Sequence, residues 1–169
     1  MAIKTNALVD IGLIPNVGVE FSLGNRWSVG ADWHYAWWKL DSKAIYWQTY
    51  GGYLTARKYF DKDKGTFTGH HIGLYGQLLT YDFELGGRGV QAAQPNYGGG
   101  VEYGYAMPLG KYFHLDFSIG VGYLGGPFKE YEPQDIHYVW QATKHLHWFG
   151  PTKAEVSLVW ILNFGKKAK

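Results

Sequence analysis

Apolar and polar residues alternate along most of this chain, the period of two expected of strands whose two faces meet different surroundings. At the N-terminus Ile3, Thr5, Ala7, Val9 and Ile11 fall on one face, and Lys4, Asn6, Leu8 and Asp10 on the other. A short Pro-containing turn at 13–16 follows, after which Val17, Val19, Phe21 and Leu23 oppose Gly18, Glu20 and Ser22. The tight turn Gly24, Asn25, Arg26 leads into Trp27, Val29, Ala31, Trp33, Tyr35 and Trp37, opposed by Ser28, Gly30, Asp32 and His34. Three further clean runs appear later. Tyr97, Gly99, Val101, Tyr103, Tyr105 and Met107 oppose Gly98, Gly100, Glu102 and Gly104; Phe113, Leu115, Phe117, Ile119, Val121 and Tyr123 oppose His114, Asp116, Ser118, Gly120 and Gly122. Thr152, Ala154, Val156, Leu158, Trp160, Leu162 and Phe164 oppose Lys153, Glu155, Ser157 and Asn163. Segments 44–60 and 66–82 are also long enough for strands, but Gly51-Gly52 and His70-His71 interrupt their alternation, which leaves the phase open and points to bulges or a kink there. The pattern predicts eight strands and no helical run.

Two of these runs repeat each other: GVEFSLGNRW at 18–27 and GVEYGYAMPLGKYF at 100–113. One hairpin used twice, about half a chain apart, points to an up-and-down array of duplicated four-strand origin that closes into a barrel. The connections at 83–96 and 124–147 are long, whereas those after the second, fourth and sixth strands are short. The connection after the third is intermediate, and the one after the first is short and breaks the trend. Short turns at one end and long loops at the other are the habit of an outer-membrane barrel with both termini periplasmic.

Periodicity alone does not say whether the apolar face lines a cavity, as in a soluble lipocalin-like carrier of an apolar ligand, or meets lipid. The opposite face decides for lipid. It mixes Glu20, Asp32, Glu102, Asp116, Lys153 and Glu155 with many glycines, which suits a narrow interior filled by a paired polar network, with Arg57 available to pair with Glu20 or Glu102. Trp27, Trp37, Tyr97, Tyr105, Phe113, Tyr123 and Phe164 lie near strand ends on the apolar face, where interfacial girdles sit. The final Trp160, Leu162 and Phe164 resemble the terminal signal read by the barrel-assembly machinery. The reading is therefore an all-β, eight-stranded antiparallel up-and-down transmembrane β-barrel, one domain over 1–169, in contact with outer-membrane lipid and lipopolysaccharide.

Composition changes this picture little. Of 169 residues, 24 are Gly, 14 Tyr and 8 Trp, which favours β structure with tight turns. A net charge of +2 without a basic stripe excludes nucleic acid as a partner, and the absence of cysteine excludes disulfides and thiolate chemistry. No run of about 18 apolar residues could form a membrane helix.

The stretches IKTNALVDIGLIPNVGVEFSLGNRWSV, GGGVEYGYAMPLGKYFHLDFSIGVGY and FGPTKAEVSLVWILNF resemble an uncharacterised family of eight-stranded outer-membrane barrels from Bacteroidota. The likeness covers both ends and the sixth and seventh strands, and is weaker over 39–82 and the two long loops. It implies an exported barrel of unknown function, often encoded near fimbrial subunits, with a surface protein or fimbrial partner. The chain starts at Met1 without that family's leader, which reads as a mature form.

Candidate chemistry is sparse. His114, Asp116 and Ser118 share one face at steps of ~7 Å, and a lipid A deacylase on an eight-stranded barrel uses a comparable serine and histidine. That site faces lipid, however, whereas these three point inward from a short turn, so the expectation is a structural polar network. His145 and His147, with His137 nearby, lack the acidic or cysteine ligands of a recognisable metal spacing. His70 and His71 point to opposite faces, so they cannot chelate as neighbours and one of them is expected in the lumen. No metal or cofactor is expected, and Gly98-Gly99-Gly100 precedes no helix that would make it a phosphate loop. Tyr131, Tyr138, Trp140 and Trp148 make the 124–147 loop the recognition surface. Together these predict a non-enzymatic barrel that anchors or scaffolds a cell-surface assembly, with a lipid-modifying enzyme or a lipocalin-like carrier as alternatives.

Overall fold

The computed structural model describes residues 1–40, 45–61, 66–85, 89–134 and 137–162, with side chains for all of these except 40, 45–46, 85, 131–134 and 137–140. Nine strands and one short helix follow in the order β1 (Ala2–Asn6), α1 (Ala7–Ile11), β2 (Asn16–Gly24), β3 (Trp27–Leu40), β4 (Ile45–Tyr59), β5 (Gly69–Leu85), β6 (Gly89–Ala92), β7 (Asn96–Pro108), β8 (Phe113–Gln134) and β9 (His137–Ile161). Eight of them form a closed antiparallel ring, β1-β2-β3-β4-β5-β7-β8-β9, which β9 completes by pairing with β1 from Ala2↔Ile161 to Asn6↔Ser157. The ninth, β6, is a short inlay between β5 and β8 beyond the end of β7. No helix among the described residues is long and apolar enough to cross a membrane.

Four expectations need correction. The first strand stops at Asn6, so Ala7, Val9 and Ile11 do not continue its face. Asn6 caps α1 by accepting from the Leu8 N–H, and Asp10 accepts from Thr5 and Asn16; this local polar chemistry overrides the alternation. The connection after β1 therefore spans 7–15 and lies at the same end as the long connections. The described residues of both long connections are largely strand rather than loop: 83–96 holds the end of β5 and β6, and 124–134 and 137–147 belong to β8 and β9, paired as far as Gln134↔His137. Finally, β4 and β5 pair in unbroken register from Ile45↔Leu85 to Tyr59↔His71, so Gly51-Gly52 and His70-His71 introduce no bulge between them.

At the other end the connections are Asn25-Arg26, 60–68 and 109–112, and there Leu162, the last described residue, donates its N–H to Met1 O at 2.8 Å. Asn25 and Arg26 both have positive φ, the two-residue hairpin turn whose twist matches its flanking strands. Glycine closes the ring. Gly100 and Gly122 face each other across β7 and β8, where a Cβ on either would lie 2.2 Å from a carbonyl of the opposite strand. The wall turns too sharply there for a side chain on either strand.

The two faces have opposite polarity. Lys4, Glu20, Ser28, Arg57, His71, Glu102, Asp116, Lys153, Glu155 and Ser157 are all buried inside the ring, while Phe21, Trp33, Leu54, Leu74, Leu78, Val101, Ile119 and Leu158 are exposed outside it. The apolar cluster of Ala2, Tyr59, Phe67, Ala106 and Val159 is small and sits at the turn end.

Candidate functional site

The interior is organised around one guanidinium. Arg57 leaves β4 opposite Ser28 and reaches four carboxylates: Nε meets Glu102 Oε1 at 2.5 Å, Nη1 meets Glu20 Oε2 at 3.1 Å and Asp116 Oδ2 at 2.8 Å, and Nη2 meets Glu155 Oε2 at 2.9 Å. A planar fork of five N–H groups can serve four carboxylates at once in this way, more than the three donors of a single ammonium allow. Two lysines complete the charges. Lys4 joins Glu155 at 2.9 Å to Asp32 at 3.1 Å, and Lys153 joins Glu102 at 2.5 Å to Glu155 at 3.2 Å while standing over the rings of Tyr53 and Tyr75.

Five carboxylates against three cations leave two excess negative charges; hydroxyl and imidazole groups meet further oxygens of Glu20, Glu155 and Asp116, while the buried Asp32 Oδ2 has no partner among the described residues. Ser28 and Tyr59 donate to Glu20 Oε1 at 2.5 and 3.0 Å, and Ser157 donates to Glu155 Oε1 at 2.7 Å. His71 Nε2 pairs with Asp116 Oδ1 at 2.9 Å. With His71 included, every strand of the ring contributes a side chain to one connected network.

Glycine makes the room for this filling. Tyr75 is buried against the inner glycines of β7 and β8, where a Cβ on Gly120 would come within 2.7 Å of its ring, and its hydroxyl pairs with Thr152. Next to the network a space of about 50 Å3 remains among Asn6, Asn16, Asp32, His34, Tyr53 and Lys153, room for one or two water molecules. The arrangement is a brace that fills the ring.

Glu20, Asp32, Arg57, Glu102, Asp116, Lys153 and Glu155 thus all meet in one place. Lys4, His71, Ser28 and Tyr59 belong to the network as well and were not named for it, although one of His70 and His71 was expected inside and alternation put Lys4 and Ser28 on the polar face. Lys4 stands opposite Ile3 in the alternation, which is the signal that could have found it, whereas His71 and Tyr59 lie in the strands whose phase the sequence left open.

His114, Asp116 and Ser118 do not form a relay. His114 Nδ1 is engaged by the Phe67 carbonyl at 2.7 Å, and Ser118 Oγ donates at 3.3 Å to the same Asp116 oxygen that holds His71. A serine nucleophile needs a base to accept its proton, and here that proton already points at a carboxylate tied to Arg57.

On the outer face, Trp27, Trp37, Tyr97 and Phe113 are exposed, with Tyr105 and Tyr123 half-buried; Phe164 lies outside the described residues. Trp27, Tyr105 and Phe113 sit toward the turn end, where Phe113 stacks on Trp160 at 6.2 Å; Trp37 and Tyr97 sit toward the other end, with Tyr123 on that half of its strand. His70 faces outward and pairs with the Tyr103 hydroxyl at 2.7 Å. The rings of His145 and His147 stack 6.1 Å apart, and His147 pairs with the Tyr123 hydroxyl at 2.7 Å. The side chains of His137, Tyr131, Tyr138 and Trp140 lie outside the described residues. Trp148 is half exposed, and its indole N–H donates to Pro151 O at 3.2 Å. No group of three or more metal-ligating side chains occurs among the described residues.

Residues 1–162 match a family described as Protein of unknown function (DUF3575), and the chain belongs to it. No curated protein and no solved structure matches the chain.

Proposed function

We propose that this member of a family of unknown function is a non-enzymatic, integral β-barrel of a Gram-negative outer membrane, with a plugged interior, periplasmic termini and a role in anchoring or scaffolding a surface assembly. The observation that carries this reading is the inverted polarity: eight charged side chains inside the ring, and Trp33, Leu54, Leu74, Leu78 and Ile119 outside it. A carrier of apolar ligands needs the reverse arrangement. The outer band also has a fitting height. Trp27 and Trp37 lie ten residues apart on β3, which at about 3.3 Å per residue and a tilt of about 40° gives about 25 Å, close to the apolar band of such barrels.

Anchoring is favoured over transport or catalysis because the interior is filled and Ser118 donates to a carboxylate held by Arg57, while His114 is engaged elsewhere. The surface that a partner would use lies at the end away from the termini, where β5, β6, β8 and β9 rise beyond the start of β7. Lipid and lipopolysaccharide would surround the band, and a surface protein, fimbrial or other, is the partner class. Membrane fractionation tests the reading: the chain should need detergent for extraction and migrate on a denaturing gel at a position that shifts on boiling. A monomer that folds and stays in solution without detergent would refute it.

A further inference from the structure

The ring has one uneven wall. β9 runs 25 residues, but β1 covers its free side only from Ser157 to Ile161, because the chain leaves the sheet after Asn6 to form α1. Beyond that point, among the described residues, β8 is the only strand paired with β9.

The backbone groups facing the open side follow from parity. Val156 N–H and Ala154 O meet the Asn6 side chain, and Leu162 N–H meets Met1 O, so even residues of lower β9 face β1. The register shift opposite Gly120/Val121 inserts one extra residue in β9 and reverses that parity. Above it, odd residues face outward from the sheet. The lower part of the open edge is blunted: Pro151 has no N–H, and its carbonyl accepts from the Trp148 indole. Phe149, His147 and His145 follow, all exposed, and among the described residues no strand pairs with the N–H and C=O groups they turn away from β8, an edge about 13 Å long. It matches β1 itself, a strand of 5 residues.

We propose that this edge, at 145–149, is a docking site for an extended segment of a partner protein, which adds a strand to β9 above α1. The chain already uses the lower stretch of the same edge in this way through β1, so the new strand would continue an existing sheet. A second copy fits this edge less well: a two-fold axis along the membrane normal would set the two β9 edges parallel with like N–H and C=O groups at the same height, so a ladder would need one copy displaced by a residue along the strand. A partner presenting alternating aromatic or apolar residues fits best, because Phe149 and Tyr123 flank the edge on the outer face. This inference rests on the membrane reading.

The test compares amide hydrogen exchange in native outer-membrane vesicles and in purified detergent-solubilised protein. Protection of the His145, His147 and Phe149 amides in vesicles, at least tenfold over detergent, is expected; Leu146 and Trp148, which face β8, should be protected in both. His147→Pro should abolish the vesicle protection at His145 and Phe149, whereas His147→Ala, which removes the ring and its contacts with Tyr123 and His145 but keeps the edge N–H, should leave it; both should keep the heat-modifiable band, because the N–H removed faces away from β8. A photo-crosslinker placed at His145 should give an adduct that disappears in the His147→Pro variant. Equal exchange in the two samples, or an adduct at twice the chain's own mass, would overturn the proposal. Loss of membrane fractionation would instead overturn the barrel reading, so the two failures are distinguishable.

Discussion

Replacing Arg57 is the sharpest test of the interior. Arg57→Met keeps much of the aliphatic stem and removes the guanidinium, leaving Glu20, Glu102, Asp116 and Glu155 without their shared partner and raising the excess of negative charges from two to three. Breaking one buried ion pair from one side costs about 3–5 kcal/mol, because the remaining charge is stranded out of water. Arg57 is 1% exposed and makes four such contacts; these are not additive, since the carboxylates also hold hydroxyls and lysines, so the single-pair range is the working magnitude. At an m-value of about 2 kcal/mol per M, the urea midpoint of the detergent-folded protein should fall by about 2 M. Arg57→Met combined with Glu102→Gln should recover part of that loss, because the second change removes one stranded charge. Tryptophan fluorescence and the heat-dependent gel shift read the transition. A midpoint within about 0.3 M of wild type would refute the claim that this guanidinium braces the ring.

Three further outcomes follow from the same geometry. Glu130→Gln breaks only the exposed pair with Lys144 and should shift stability by less than about 1 kcal/mol, in contrast to Arg57→Met, in the same urea titration. Leu54→Arg, at the middle of the outer band, should lower folding into lipid vesicles by about 2–4 kcal/mol, whereas on a water-exposed surface it would be nearly neutral. Gly122→Val should abolish the folded band altogether, because a Cβ there would lie 2.2 Å from Gly99 O and 2.7 Å from Gly100 Cα; an unchanged yield would refute the close approach of β7 and β8.

How much was legible in the sequence depended on what set each local conformation. In β2, β3, β7 and β8 the difference between faces is large, so alternation alone separated Glu20 and Asp32 from Phe21 and Trp33. In β4 and β5 the inner face carries Tyr53, Tyr59 and Tyr75, aromatics that look like outward residues, and the outer face carries Gly52 and Gly76. The hydrophobic signal is therefore weak there, and Tyr59 and His71 went unassigned. α1 was unreadable from periodicity because a side-chain cap and two tertiary contacts hold it: Trp38 and Trp47 donate to the carbonyls of Leu13 and Gly12 at 2.5 and 3.1 Å. The β8–β9 extension was read as loop because above the ring the hairpin has exposed residues on both faces, which removes the alternation that marks a strand.

The repeated Gly-Val-Glu hairpin gains a physical meaning from the ring. β2 and β7 stand four places apart among eight strands, so Glu20 and Glu102 approach Arg57 from opposite walls, each across from an inner glycine, Gly30 and Gly120. The registers carry the correspondence one strand further: Ser28 pairs with Arg57, and Ser118 with Glu155. Equivalent positions thus hold opposite charges, and those two side chains meet at 2.9 Å. Two identical halves would place like charges there, so the divergence of 57 and 155 is what lets the centre close. The surroundings have diverged with them, because Arg57 is ringed by Glu20, Glu102 and Asp116 while Glu155 is ringed by Lys4 and Lys153. Arg57→Glu and Glu155→Arg should each prevent folding. The double exchange should not rescue it, since it sets a carboxylate at position 57 among three others and a guanidinium at position 155 beside two ammonium groups. Recovery of the heat-modifiable band in the double exchange would show that only the central pair matters, and would refute a network polarised across the ring.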